Sequence, residues 1–332
     1  FCEGIAEELI NGLGRIHNLR VASRTSSFKN WSDDLDIREI GVQLGVSTVL
    51  EGSVRKAGNQ LRVAAQLINV EDGYRLWSDR FDRTLEDVFA IQDEIAENIV
   101  KALEVTLSPR ERRAIQNVAT QDVEAYDFYL RGRKQFYLMS RRSYEAARQM
   151  YQRAIELDPG YSLAYAGIAD CCSFLYMYAE STAENRRLAV EASQKALELD
   201  PDLGEAHASR GLALSLSEDY EEAEREFQEA IKLNPRLFEA YYFYARSCYA
   251  RGEYSKAAQL FEQASDVRPE DYQAPILLVQ ALIGMGLSAE RVRPTLERAL
   301  EIIEETLEAN PADSRALYLG AGAIQDLGDS DK

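Results

Sequence analysis

Few side chains in this sequence are placed to do chemistry. The two histidines, His17 and His207, lie far apart in a chain of 332 residues. No carboxylate and nucleophile can be assigned to either, so a hydrolytic proton relay has no carrier. His17 follows a helical pattern and reads as its C-terminal cap, while His207 falls at a packing place of a repeated helix. Ser23-Arg24-Thr25-Ser26-Ser27 could donate hydrogen bonds to a phosphate, yet neither a glycine-rich loop nor a Walker lysine accompanies it. A capped, hydrogen-bonded loop accounts for the run. Glu51-Gly52-Ser53 lies inside a strand pattern, without the strand-to-helix elbow that exposes a nucleophilic serine. Cys171 and Cys172 would point about 100° apart on a helix. Together with Cys2 and Cys248 they form neither a CxxC pair nor a disulfide framework. Acidic doublets such as Asp93-Glu94 and Glu221-Glu222 belong to a solvated acidic surface. The segment therefore reads as non-catalytic, with no catalytic residue, no metal site and no cofactor.

Composition narrows the partners. Lys plus Arg number 38 against 56 Asp plus Glu, a formal net charge of -18, which opposes the phosphate neutralisation that nucleic-acid binding needs. With 46% hydrophobic and 28% charged residues the chain has the make-up of a folded protein. The most apolar stretch, Ala274 to Leu287, contains Gln280 and is shorter than the roughly 20 residues of a membrane helix, so no membrane insertion is expected. Four unpaired thiols favour the cytoplasm; an upstream membrane helix in a parent chain would instead put the segment on the periplasmic side. Phe1 leads straight into an amphipathic pattern, so the sequence reads as a piece of a longer protein.

What positions the remaining side chains is a repeat. Pro159, Pro201, Pro235, Pro269 and Pro311 each close a helical segment, at spacings of 42, 34, 34 and 42 residues. In the unit from Gly204 to Leu237, Gly211, Ala223, Phe227 and Ala230 occupy positions 8, 20, 24 and 27, and the next unit repeats them with Ala245, Ala257, Phe261 and Ala264. Small residues at 8 and 20 let two helices approach, the aromatic at 24 fills the gap, and proline stops the second helix. The other units fit with insertions in the turn: Arg131, Gly132, Ala147, Tyr151 and Ala154 lead to Pro159; Ala169, Ala189 and Ala196 to Pro201; Leu278, Val279, Ala299 and Thr306 to Pro311. About five complete units run through 125–332, and a sixth starts near Ser314 and is cut off. This pattern resembles the tetratricopeptide repeat family, which implies an all-α superhelix with a groove lined by the first helix of each unit.

Positions 2, 5, 9, 12 and 13 of those helices would face the groove. They give Tyr126, Tyr129, Arg133, Phe136 and Tyr137 in the first unit, Phe174 in the second, and Glu239, Tyr242, Arg246 and Tyr249 in the fourth. Tyrosine and arginine are the residues of interaction hot spots, so the expected ligand is a protein or peptide. The competing expectation is that these rings pack on the neighbouring repeat, as aromatics at helical spacing usually do. A clamp for acidic tails, built from Lys and Asn, is absent: its places hold Glu205, Ala208, Ser209 and Leu212, or Glu239, Tyr242, Phe243 and Arg246. Residues 121–332 carry 23 basic and 37 acidic side chains, which repels an acidic tail and favours a mixed apolar or basic partner.

Residues 1–107 follow other rules. Ile5, Leu9, Ile10 and Leu13 mark a helix that frays at Gly12-Leu13-Gly14, Leu19 to Ala22 a short strand, and Asp36 the cap of a helix running to Leu44. Thr48–Arg55, Leu61–Val70 and Arg75–Arg83 read as strands joined by turns at Gly58-Asn59 and Asp72-Gly73. Trp77 reads as core and Trp31 as a loop residue able to dock. Val88, Ile91, Ile95, Ile99 and Leu103 stripe a long helix from Leu85 to about Leu107, with a linker over 108–124. The wording FCEGIAEELINGLGRI, LRVASRTSSF and IREIGVQLGVSTVLEGSVRKAGNQLRVAAQLINVEDGYRLWSDRFDRTLEDVFAIQDEIAENIV resembles the TolB-type amino-terminal domain that precedes tetratricopeptide repeats in bacterial signalling proteins. The resemblance implies a mixed α/β domain with helices on a small mixed sheet. It also implies a preceding strand of the type VLPF, missing here, and an upstream kinase, class III nucleotide cyclase or winged-helix domain. The expected function is a regulatory interaction module. Its alternatives are a small-molecule sensor relaying to the upstream domain and a structural scaffold that forms homo-oligomers through its repeats.

Overall fold

The computed structural model describes residues 2–14, 16, 19–22, 27, 35–84, 87–105, 107, 120–309, 311 and 313–327. His17, Ser23 to Ser26, Trp31, Leu85 and most of the expected linker lie outside them. The chain forms two compact units, Phe1–Leu130 and Arg131–Lys332.

In the first unit the order is α1 (Cys2–Gly14), α2 (Ile37–Leu44), β1 (Thr48–Ala57), β2 (Gln60–Asn69), β3 (Arg75–Thr84) and α3 (Val88–Ala102), followed by the start of α4 (Val123–Phe136). Asp36 caps α2 as expected, accepting from Arg38 N at 2.9 Å while Glu39 reaches back to the Asp36 N–H. The three strands form an antiparallel meander in the order β1-β2-β3. Gly58 takes φ +60 in the first turn and Gly73 φ +72 in the second, left-handed values that glycine adopts without a Cβ penalty. In the second turn Asn69 and Asp72 carboxamide and carboxylate oxygens accept from Glu71 N and Tyr74 N, both at 2.9 Å.

Alternation places Leu61, Val63, Ala65 and Leu67 of β2 on one buried face, joined by Phe81 of β3. Ile5, Leu9 and Leu13 of α1 and Val88, Ile91, Ile95 and Ile99 of α3 complete this core, with Trp77 half-buried against it. Two expectations are corrected. Residues 19–22 form no strand: Leu19 and Val21 pack on the core, but without ladder bonds. The sheet among the described residues is accordingly antiparallel, not mixed. The expected long helix is described from Val88 and stops at Ala102, short of Leu107; its expected start at Leu85 lies outside the described residues. Just ahead of α3, Thr84 donates its N–H and hydroxyl to Asp87 at 3.0 and 2.8 Å. At the other end Glu104 turns to φ 54 and Val105 N bonds Val100 O at 3.0 Å, closing the last turn.

The second unit consists of helical hairpins: the end of α4 with α5 (Arg141–Leu157), α6 (Ser162–Tyr178) with α7 (Ala183–Leu199), α8 (Gly204–Leu216) with α9 (Tyr220–Leu233), α10 (Phe238–Ala250) with α11 (Tyr254–Val267), α12 (Gln273–Gly284) with α13 (Ala289–Ala309), then α14 (Ser314–Leu327). The prolines act as expected. Before each of the first four, the residue at Asp158, Asp200, Asn234 or Arg268 donates its N–H to Ala154, Ala196, Ala230 or Ala264 at 2.9–3.0 Å, and the chain leaves the helix there. Ser140 and Thr182 cap α5 and α7 through the N–H groups of Ser143 and Asn185 at 3.2 and 3.1 Å. Phe227 and Phe261 are fully buried, as are Ala223, Ala230, Ala257 and Ala264 beside them. At Gly211 the paired helix leaves no room for a side chain: a Cβ there would stand 2.6 Å from Phe227 Cε1.

Candidate interaction surface

First helices stack on one another, α8 packing between α6 and α10. Their sequence dictates how far side chains reach across this row. α8 presents the small Ala208 and Ser209 there, whereas α6 brings Phe174 and α10 brings Tyr242 and Phe243. Over the low middle the rings of α6 and α10 meet directly, Phe174 and Phe243 lying 5.9 Å apart, and Phe136 of α4 joins at 5.2 Å from Phe174.

The residues expected to line a groove divide by burial. Tyr126, Tyr129, Phe174 and Tyr242 are buried. Tyr126 belongs to the first unit, where Gln92 Nε2 donates to its hydroxyl at 3.0 Å and Phe89 packs edge-on at 5.1 Å. Arg133, Phe136, Tyr137, Arg246 and Tyr249 are half-buried. Arg133 donates to the Tyr137 hydroxyl at 2.9 Å, and the Tyr249 ring stands 5.4 Å from that of Tyr254. Glu239 pairs with Arg268 at 3.1 Å, and Arg268 also lies 4.1 Å over the Phe238 ring.

At the middle of the row a polar cluster joins helices distant in sequence. Tyr178, at the end of α6, is 42% exposed, and its hydroxyl accepts from Arg246 Nη1 of α10 and, at 3.0 Å, from Arg315 Nη2 of α14. The two guanidinium carbons lie 5.1 and 4.5 Å from the centre of the Tyr178 ring. Arg246 also donates to Tyr242 at 3.2 Å, and Arg315 Nε to Gln273 of α12 at 2.6 Å. Sequence reasoning misses Tyr178, Gln273 and Arg315. Gln273 and Arg315 occupy position 2 of their units, a groove position in the other repeats. Tyr178 has no such signal: α6 has 17 residues against 13 in α8 and α10, and the added turn, allowed by the 42-residue spacing, carries it outward.

The titratable groups are mostly structural. Burial pushes the Asp170 carboxyl up to about 8, with a hydrogen bond from Ser209 opposing the shift, and its Oδ1 has no partner. Burial raises the thiols of Cys171, Cys172 and Cys248, the last to about 12, so none is a thiolate near neutrality. Burial acts to lower His207, but bonds to Glu226 at 2.5 Å and to the Pro201 carbonyl at 2.9 Å raise it overall. This histidine pins α8 to α9, a role that its packing position alone does not reveal. Among the described residues no group of three or more His, Cys, Asp or Glu could hold a metal ion, and no helix is long and apolar enough to cross a membrane.

Proline-closed hairpins with small residues at the crossing are the geometry of a known repeat. Residues 137–161 and 210–272 match family models described as "Tetratricopeptide repeat", so the helical half carries tetratricopeptide repeats. Over 226 residues the chain is 38% identical to a protein of Rhizobium meliloti (strain 1021) named "Putative adenylate cyclase 3". The alignment takes in 68% of this chain and spans only 38% of that relative's length. Human IFIT1, solved as a dimer with m7Gppp-AAAA, aligns at a TM-score of 0.50 and 18% identity, over 73% of this chain and 53% of that one, a likeness of fold alone. The thermophilic TPR protein TTC0263 of Thermus thermophilus aligns at a TM-score of 0.47 and 19% identity, over 60% of this chain and 99% of that one.

Proposed function

We propose that the tetratricopeptide half binds a protein or peptide along the row of first helices, as the non-catalytic regulatory part of a bacterial signalling protein. One observation carries this: Arg133, Tyr137, Arg246 and Tyr249, aromatic and arginine side chains on those first helices, are half-buried and so leave part of their surface exposed. Such side chains give contact area and directional bonds with little rotamer entropy to lose. Supporting the signalling setting are the TolB-type wording of residues 1–107 and the Rhizobium relative. Among the upstream effectors that the wording implies, the relative's name favours a nucleotide cyclase. The test is retention of the full chain on an immobilised pool of random octapeptides. An Arg133→Ala/Tyr249→Ala variant with an unchanged circular-dichroism melt should lose retention; retention equal to that of the wild type would overturn the groove.

A further inference from the structure

The Tyr178 cluster holds two cations and no anion. Arg246 and Arg315 converge on one phenol oxygen, and neither is paired with a carboxylate among the described residues. The two nearby acids are engaged elsewhere. Asp271 accepts from the N–H groups of Gln273 and Ala274 at 2.9 and 3.0 Å and lies in the field of Arg268. Asp313 accepts from the N–H groups of Arg315 and Ala316 at 3.1 and 2.9 Å and from the Tyr272 hydroxyl at 3.2 Å. Donors are left over around this oxygen. Arg246 Nε is buried with no acceptor, and so is the hydroxyl of Tyr144, a residue 2% exposed and within electrostatic reach of Arg315, Tyr178 and Tyr242. A neutral phenol oxygen compensates two guanidinium charges poorly, while a carboxylate accepts from both in short charge-assisted bonds. Elsewhere in this unit arginines meet acids: Arg187 with Glu184 and Glu191, Arg268 with Glu239, Arg141 with Glu145 and Glu180. The pair at Tyr178 departs from that habit in a unit whose acids outnumber its bases.

We propose that Arg246 and Arg315 receive a carboxylate of the bound peptide, which takes the place of the Tyr178 hydroxyl between them. This rests on the groove function proposed above and names its partner's chemistry. The partner presents a single carboxylate in an otherwise apolar or basic segment, because the surrounding acidic unit repels a dianionic phosphate or a run of acids more strongly. The carboxylate can be a chain terminus or an Asp or Glu side chain.

The probes are two pools of octapeptides biotinylated at the amino end, one with free and one with amidated carboxyl ends, offered to the full chain. Arg315→Gln should weaken retention about tenfold, the scale of one charge-assisted contact. Tyr178→Phe, which keeps the ring and removes the competing oxygen, should strengthen it. Loss of retention on amidation assigns the terminal carboxylate; equal retention of both pools, confined to members with Asp or Glu, assigns the side chain. Retention unchanged in both variants overturns the carboxylate site and leaves the groove standing, as does preference for phosphorylated peptides or RNA. Failure of the wild type to retain either pool overturns the groove itself.

Discussion

Adding one carbon at Gly211 opposes two effects whose sizes can be compared. Alanine in a helix interior is favoured over glycine by about 1 kcal/mol. At this site the new Cβ would lie 2.6, 2.7 and 2.9 Å from Cε1, Cδ1 and Cζ of Phe227. The ring has no way to withdraw. It is fully buried and stacked 5.1 Å from Tyr244, whose hydroxyl donates to Glu224 at 2.6 Å. Forcing a methyl into such packing costs about 2–3 kcal/mol, the upper part of the range for overpacked cores. The net loss is then about 1–2 kcal/mol, a fall in Tm of about 2–8 °C for a unit of this size. Gly322 of α14, with nothing within 4 Å of its would-be Cβ, supplies the control: Gly322→Ala should gain the propensity alone and melt higher. Urea and thermal melts followed by circular dichroism compare the two variants. If Gly211→Ala is as stable as the wild type or more so, the claim that the hairpin crossing has no room for a methyl is refuted.

Two titrations extend the test. The native state keeps the Asp170 proton up to about 8 whereas an unfolded aspartate releases it near the ordinary 3.8, so the native state binds the extra proton between them. Stability should fall as pH rises through that window, and urea melts of Asp170→Asn should show the slope flattened. His207 has a raised folded pKa, so its contribution is fully present below the unfolded value of 6.5 and is lost as pH rises through the folded one. His207→Gln should lower the urea midpoint below that unfolded value and leave it nearly unchanged in alkaline buffer.

The repeats were legible because the residues that define them do mechanical work: a missing Cβ at Gly211, a ring at Phe227 and a missing N–H at Pro235 have one structural meaning each. The meander was legible from the alternation in β2 and from glycine in its turns. Less of the surface could be read. Positions 2 to 13 identify which side chains stand on the first helices, but a tyrosine at those places can serve the core or a ligand with the same spacing. Tyr242 is buried where Tyr249 is not, and that depends on how the neighbouring repeat packs. The meeting of Tyr178 with Arg315, 137 residues later, depends on the curvature of the whole stack, which no local pattern encodes. Residues 19–22 misled for a related reason: an apolar alternating run becomes a strand only where a partner edge accepts its bonds.

Arrays of helical hairpins ordinarily shed their outermost elements first, since each member leans only on those beside it. The phenol of Tyr178 changes that order of release, for it fastens α14 to the second hairpin while α10 grips the same oxygen. Peeling the last helix away therefore loosens the centre as well, and whatever occupies that centre sets how firmly the far end is held.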